Sequence, residues 1–132
     1  MRLWPLAILP QLPRQHLLGQ HRECCALRGK GWGRKHATVD YVFKYGLDHL
    51  YVYHQRVMHE MARRGYAADL EWYTRTYRGK ALPCATCMEV GTYEYEGGPI
   101  YPEHDETYLA ECIENLARKG VYINPPTQKS SA

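Results

Sequence analysis

The sequence lacks an apolar run long enough to cross a membrane as a helix. Its apolar N-terminal stretch, Leu3 to Leu12, contains Pro5 and Pro10, follows a single Arg2, and has no small-residue cleavage site. A spanning helix needs about 20 apolar residues, and a signal peptide needs a cleavage site. We therefore expect neither a membrane span nor a secretion signal, and we predict a protein that does not bind membranes.

The five cysteines cannot all form disulfide bonds within the chain, because their number is odd. We predict that they are reduced and that the protein is intracellular, in the cytoplasm. Cys24 and Cys25 point about 100° apart on a helix, so they cannot bridge each other and should pack as small apolar groups. Cys84 and Cys87 have a spacing that suits zinc or a redox pair. The nearest further ligands are His104 and Cys112. Loop thiols without a ligand are the favoured interpretation, and we expect no metal and no cofactor.

Acidic residues are scarce in the first part of the chain. Residues 1–80 carry 14 Lys and Arg against 6 Asp and Glu, a balance of +8, whereas residues 81–132 carry 3 against 8, a balance of −5. Positive charge beside Trp4, Trp32, Tyr41 and Trp72 is typical of proteins that bind a polyanion with stackable bases. The alternative is that the charge serves solubility alone.

The length of 132 residues fits one domain and leaves no room for a second core. We predict an all-α fold of about three main helices, with residues 1–123 as the domain, residues 124–132 as a flexible tail, and a monomer as the favoured state. The expected elements are an extended or irregular arm over residues 1–12, a helix from Pro13 to before Gly29, a helix from Thr38 to Gly65 divided at Gly46, a short helix or turn within residues 66–80, a short strand at Thr92 to Tyr95, and a helix from Asp105 to Gly120.

The first helix carries an unusual stripe of polar and very small residues. At about 100° per residue, one face collects Gln15, Gly19, Arg22, Glu23 and Ala26. Gly19 and Ala26 leave space in which a ligand could lie against the polar groups. A solvated helix face with Arg and Glu by chance is the alternative, and the stripe alone favours it.

A basic loop rich in glycine follows this helix, from Gly29 to His36. Glycines allow a backbone to approach phosphates closely, and the loop adds charge and one exposed-looking aromatic ring through Lys30, Trp32, Arg34 and Lys35. We favour phosphate contact over a flexible connector.

These motifs together resemble the pyrimidine-dimer DNA glycosylase, or endonuclease V, family of T-even phages. The resemblance rests on Gln15-His16-Leu17, Arg22-Glu23, the turn at Gly29, Arg34-Lys35-His36, the segment from Tyr53 to Tyr66 that ends in Glu60-Met61-Ala62-Arg63-Arg64-Gly65-Tyr66, and Ile100-Tyr101-Pro102-Glu103-His104. It is good over residues 13–66 and poor over residues 67–98.

The resemblance implies an all-helical repair enzyme that acts on damaged double-stranded DNA. It implies that the chain's α-amine, on Met1, attacks C1′ of the damaged nucleotide to form an imine, and that Glu23 is the catalytic carboxylate. Gln15 and Arg22 then match residues that hold DNA in the active site, Arg2 matches the arginine after the nucleophile, and Arg34 and Lys35 would contact phosphates.

Two features depart from the family pattern. Met1 precedes Arg2 where the family exposes a small residue by methionine removal, and Ala26 stands where the family has an arginine, with Arg28 as the nearest substitute. Two alternatives therefore stay open: a non-catalytic DNA-binding protein of the same fold, and a small zinc-binding interaction domain built on Cys84 and Cys87.

Overall fold

The protein folds as an all-α domain. The computed structural model describes residues 2–35 and 38–125, and within them it contains helices and connecting segments but no strands. The α-helices are α1 (Arg14–Arg28), α2 (Leu47–Arg63), α3 (Cys87–Val90) and α4 (Glu106–Arg118), and 3₁₀ helices cover Leu6–Gln11, Asp40–Lys44 and Leu70–Tyr73. None of the helices in this part of the chain is long and apolar enough to cross a membrane.

Helix α1 has the boundaries that its flanking residues predict. Pro13 precedes it, and its carbonyl accepts the first backbone bond from the Leu17 amide. The helix ends at Gly29, and the chain then turns back over the last turn so closely that a Cβ at Gly31 would lie 2.8 Å from the Ala26 carbonyl oxygen. Only glycine fits at that position, so the turn fixes where the basic loop leaves the helix.

Helix α2 is the central element of the core. The expected division at Gly46 is confirmed, since a 3₁₀ helix covers Asp40–Lys44 and the α-helix begins after Gly46. Gly65 ends the helix with φ +87°, a conformation that favours glycine. The buried positions of α2 face α1 and the N-terminal arm, and the largest of them are Leu50, Tyr53, His54, Met58 and Met61.

The N-terminal arm differs from the extended segment that the sequence predicts. Residues Leu6–Gln11 form a 3₁₀ helix that contains Pro10, and its side chains are inserted into the core rather than laid across the surface. The buried side chains of the arm are Leu3, Trp4, Ile8, Leu9 and Leu12. The prolines predicted an arm without a helix, because proline lacks a backbone donor. Burial of this apolar surface stabilises the arm by more than the loss of that one donor costs, so the 3₁₀ helix forms.

Helix α4 confirms the final predicted helix. The Asp105 carboxylate accepts a hydrogen bond from the Tyr108 amide at 2.9 Å, and Gly120 follows the helix with φ +84°. The strand predicted at Thr92 to Tyr95 is wrong: this segment has no strand structure, and the Tyr93 amide donates to the Asp48 carboxylate instead of to a neighbouring strand. The start of the predicted tail is held in place, because Asn124 exchanges two hydrogen bonds with Gln11. The rest of that tail, residues 126–132, lies outside the described part of the chain.

Candidate active site

A pocket of about 400 Å³ opens beside α1, and polar side chains make up most of its lining. Gln15, Gly19 and Glu23 of the predicted stripe line it, while Ala26 lies outside it and exposed. The complete lining is Arg2, Trp4, Gln15, His16, Gly19, Gln20, Glu23, Thr38, Asn115 and Lys119. The pocket thus joins the arm, α1, the start of the segment before α2, and the end of α4.

Gln20 holds the start of the chain against the carboxylate of Glu23. Its Nε2 donates to the Arg2 carbonyl at 2.9 Å and to Glu23 Oε1 at 2.8 Å. Its Oε1 accepts from the Trp4 amide at 2.7 Å and from the Tyr53 hydroxyl at 2.7 Å. All four hydrogen-bonding positions of this buried amide are used, so its orientation is fixed and rotating it would break every bond.

Two buried polar atoms in the pocket have no hydrogen-bond partner among the described residues. They are Nδ1 of His16 on α1 and Oδ1 of Asn115 on α4. A buried polar atom without a partner costs about 1–3 kcal/mol, and such atoms in a pocket are suited to a polar ligand. The pocket therefore has an unpartnered polar atom on each of two walls in addition to the Glu23 carboxylate.

The two arginines predicted beside Glu23 lie at the edge of this pocket. The Arg2 guanidinium stays near it, with Nη1 at 3.4 Å from the Cys112 sulfur and the cation over the rings of Trp4 and Tyr108. Arg22 is exposed, and its Nη2 would lie 3.8 Å from a Cβ at Gly19. Arg22 therefore lies over Gly19, which lines the pocket.

The basic loop presents its charges to solvent. Lys30, Arg34 and Lys35 are exposed, whereas Trp32 is half-buried and packs edge-on against Phe43 with ring centroids 4.9 Å apart. Trp32 therefore anchors the loop, and the exposed-looking ring of the sequence prediction is corrected. Three cations remain available to phosphates.

Arg28 takes a structural position that corrects its predicted contact with DNA. It is only 2% exposed, and its guanidinium donates to the carbonyls of Trp72 at 2.8 Å, Thr74 at 2.8 Å and Tyr77 at 3.0 Å. Nη1 also donates to His54 Nδ1 at 3.0 Å. Burial, followed by the charge of Arg28, holds the pKa of His54 well below its ordinary value. Arg28 thus ties α1 to the segment after α2 and is too deeply buried to contact a phosphate.

The cysteines divide into three environments. Cys24 and Cys112 are buried, Cys25 is half-buried, and Cys84 and Cys87 are exposed. In the ranges that the structure describes, the exposed pair does not belong to any group of three or more potential metal ligands. Met1 and His36, both named by the sequence analysis, fall outside those ranges.

Residues 1–74 match the family model described as pyrimidine dimer DNA glycosylase. This region contains the arm, α1 and α2, and eight of the ten pocket residues, all but Asn115 and Lys119. The chain belongs to the pyrimidine dimer DNA glycosylase family. Searches of curated proteins and of solved structures gave no match. Membership implies a DNA glycosylase of DNA repair, with DNA as its substrate.

Sequence patterns did not reveal the roles of Gln20, His16 and the α4 residues in the pocket. Gln20 was overlooked because its partners Arg2, Trp4 and Tyr53 are far from it in sequence. Asn115 and Lys119 were overlooked because α4 follows a poorly matching segment and showed only an amphipathic pattern. The one available signal was that Gln20 is a polar residue on the core-facing side of α1.

Proposed function

We propose that this protein is a pyrimidine-dimer DNA glycosylase with abasic-site lyase activity, in which the α-amine of Met1 is the nucleophile and Glu23 the catalytic carboxylate. The supporting observation is the Gln20 amide, which links the Arg2 carbonyl directly to Glu23. The α-amine of Met1 is one residue's backbone away from Arg2. The same amide that orients the carboxylate therefore orients the start of the chain.

In the proposed reaction the neutral amine attacks C1′ of the damaged nucleotide. The bond from C1′ to the base breaks, and the base leaves with the electron pair of that bond and takes up a proton from the amine. The C1′–O4′ bond of the sugar ring then opens as the nitrogen forms an imine with C1′, and the second amine proton passes to O4′. Loss of a proton from C2′ then expels the 3′ phosphate. An α-amine has an ordinary pKa of about 8, so a useful fraction is nucleophilic at neutral pH.

Glu23 contributes charge and proton transfer in this scheme. Its carboxylate stabilises the positive charge that develops on the sugar and then on the imine, and it moves protons between the sugar and the leaving groups. Gln15 and Arg22 at the same rim hold the nucleotide, and Arg34 and Lys35 contact phosphates further along the duplex. The pocket receives an extruded nucleotide, and the unpartnered polar atoms of His16 and Asn115 lie on its walls.

The experiment is reductive trapping of the imine on duplex DNA with one abasic site. Borohydride should give a stable protein–DNA adduct, and peptide mapping should place it on the N-terminal residue. A chain whose α-amine is acetylated should give no adduct while it still binds the duplex.

Lys119 provides the matched control, because its side-chain amine also lines the pocket. The Lys119→Arg variant keeps the charge and removes that amine, so it should trap as the unaltered protein does. An adduct mapped to Lys119, or one that survives acetylation of the α-amine, would overturn the assignment of the nucleophile. Duplex binding with no adduct under any condition would favour the non-catalytic DNA-binding alternative.

A further inference from the structure

Three metal-ligating side chains meet between α1 and α2, apart from the pocket. His21 and Cys25 are one turn apart on α1, and His54 lies opposite them on α2. His21 Nδ1 is 2.8 Å from His54 Nε2, and the Cys25 sulfur is 3.9 Å from both of these nitrogens. Neither His21, Cys25 nor His54 lines the pocket that contains Glu23.

We propose that His21, Cys25 and His54 form a zinc site that joins α1 to α2. Zinc binds thiolate sulfur at about 2.3 Å and imidazole nitrogen at about 2.0–2.1 Å in tetrahedral geometry. Those bond lengths place two nitrogens about 3.3 Å apart and sulfur about 3.6 Å from nitrogen. The observed separations differ from these by roughly half an ångström or less, a change that side-chain rotation supplies.

Arg28 determines which nitrogens carry protons before the ion binds. An arginine is only a donor, so His54 Nδ1 accepts from Arg28 Nη1 and the ring proton of neutral His54 is on Nε2. That proton points at His21 Nδ1, which is therefore an acceptor with its own proton on Nε2. The lone pair of His21 Nδ1 thus already faces the site.

Zinc replaces the proton that lies between the two histidines. When the ion binds, the Cys25 thiol releases a proton to solvent and the ring proton of neutral His54 moves from Nε2 to Nδ1. The Cys25 sulfur and His54 Nε2 then each donate an electron pair to zinc. His54 Nδ1 no longer accepts from Arg28, so binding gives up that hydrogen bond, while the three carbonyl contacts still hold Arg28.

The site is open on its outer side. His21 and Cys25 are only half-buried, so an ion can enter from solvent, while His54 forms a buried wall. The fourth position belongs to water. The Asp69 carboxylate, at the start of the Leu70–Tyr73 helix, acts electrostatically on both His21 and Cys25 and adds negative charge nearby. Because the ion links two helices, its bound state should stabilise the fold.

Cobalt is the probe for this site, since it takes the same ligands and reports them by absorption. Equimolar Co²⁺ added to the full-length, chelator-treated protein should produce visible bands typical of a four-coordinate ion and a near-ultraviolet thiolate-to-cobalt charge-transfer band. Added Zn²⁺ should abolish both signals by displacement and should raise the melting temperature.

Two variants and one matched control identify the ligands. Cys25→Ser should remove the charge-transfer band, and His21→Asn, which keeps an acceptor for His54, should weaken zinc binding at least tenfold. The control is Cys84→Ser with Cys87→Ser, which removes the exposed pair and should leave the spectrum unchanged. Loss of the band in that control, its persistence in Cys25→Ser, or the lack of any band with the unaltered protein would overturn the proposal. Circular dichroism of each variant checks that it folds.

Discussion

The two halves of the chain contribute differently to the pocket. Residues 1–74 match the family and supply Glu23, Gln20 and the arm, whereas the second half supplies only Asn115 and Lys119, both on α4. The first half carries the positive charge and the second half is acidic. The residues proposed to carry the chemistry therefore lie on the arm and α1, and α4 forms another wall of the pocket.

The second half nevertheless holds the arm in place. The Tyr108 hydroxyl donates to the Leu3 carbonyl at 2.8 Å, and Cys112 accepts from Arg2. These contacts hold the Leu3 carbonyl and the Arg2 side chain, next to the Arg2 carbonyl that accepts from Gln20. The acidic half therefore helps to position the arm.

The largest expected effect comes from Glu23→Gln. The substitution keeps an oxygen for Gln20 to donate to but removes the charge that stabilises the cationic sugar and imine. We expect strand nicking of ultraviolet-irradiated plasmid to fall by about 10³-fold or more, because acid–base and electrostatic contributions are each worth about 10²–10⁴-fold. Duplex binding, measured on the same preparation, should change little.

In the second half, the substitution to compare with Glu23→Gln is Asn115→Ala. It removes an unpartnered buried oxygen, so we expect unchanged or slightly higher thermal stability together with a loss of substrate affinity of about tenfold or less. Nicking at saturating substrate should continue. If Asn115→Ala lost as much turnover as Glu23→Gln, the division of chemistry between the halves would be wrong.

The helices were predictable because local signals mark their ends. Pro13 and Gly29 bound α1, Gly46 and Gly65 bound α2, and Asp105 caps α4. The strand prediction at Thr92 to Tyr95 failed because a strand needs a partner, and the Tyr93 amide is satisfied by Asp48 instead. The helical arm was missed because its stability comes from burial against distant parts of the chain.

The site could be predicted only where its residues share one helix face. Gln15 and Glu23 follow from the spacing on α1, and both line the pocket. Arg28 looked equally suitable, yet its guanidinium is held by carbonyls of residues 72, 74 and 77. Such long-range partners leave no trace in a single sequence, and the same is true of Gln20.

An intermediate effect should appear at the contact between the halves, where His104 is buried and its Nε2 shares a hydrogen bond with the Tyr41 hydroxyl. Burial lowers the pKa of His104 to about 4. The unfolded chain, with an ordinary pKa of about 6.5, binds more protons than the folded chain between these values. The stability that the fold gains from a neutral His104 is therefore fully present above about pH 6.5, and it is lost as the pH falls toward 4.

Urea unfolding at pH 7 and pH 4 measures this contribution. Between pH 7 and pH 4, the free energy of unfolding should fall by about 3 kcal/mol more for the unaltered protein than for His104→Gln, whose side chain cannot titrate. His54 titrates in the same direction and remains in both proteins, so it cancels in the comparison. Equal acid sensitivity of the two proteins would show that the joint between the halves does not depend on a neutral His104.

The smallest expected effect tests the charge difference between the halves. Arg34→Ala and Lys35→Ala each remove an exposed cation of the basic loop, so each should lower duplex affinity a few-fold and reduce the slope of log affinity against log salt by about 1. The control is Arg118→Ala on α4, where the cation is paired with Glu114 at 3.1 Å and both side chains are exposed. The salt slope of Arg118→Ala should be unchanged, because Glu114 already neutralises the charge of Arg118. Removing Arg118 also leaves an unpaired carboxylate, which repels phosphate. Equal slopes for Arg34→Ala, Lys35→Ala and the unaltered protein would mean that DNA does not contact the basic loop, and a reduced slope in Arg118→Ala would extend the DNA-binding surface to the acidic half.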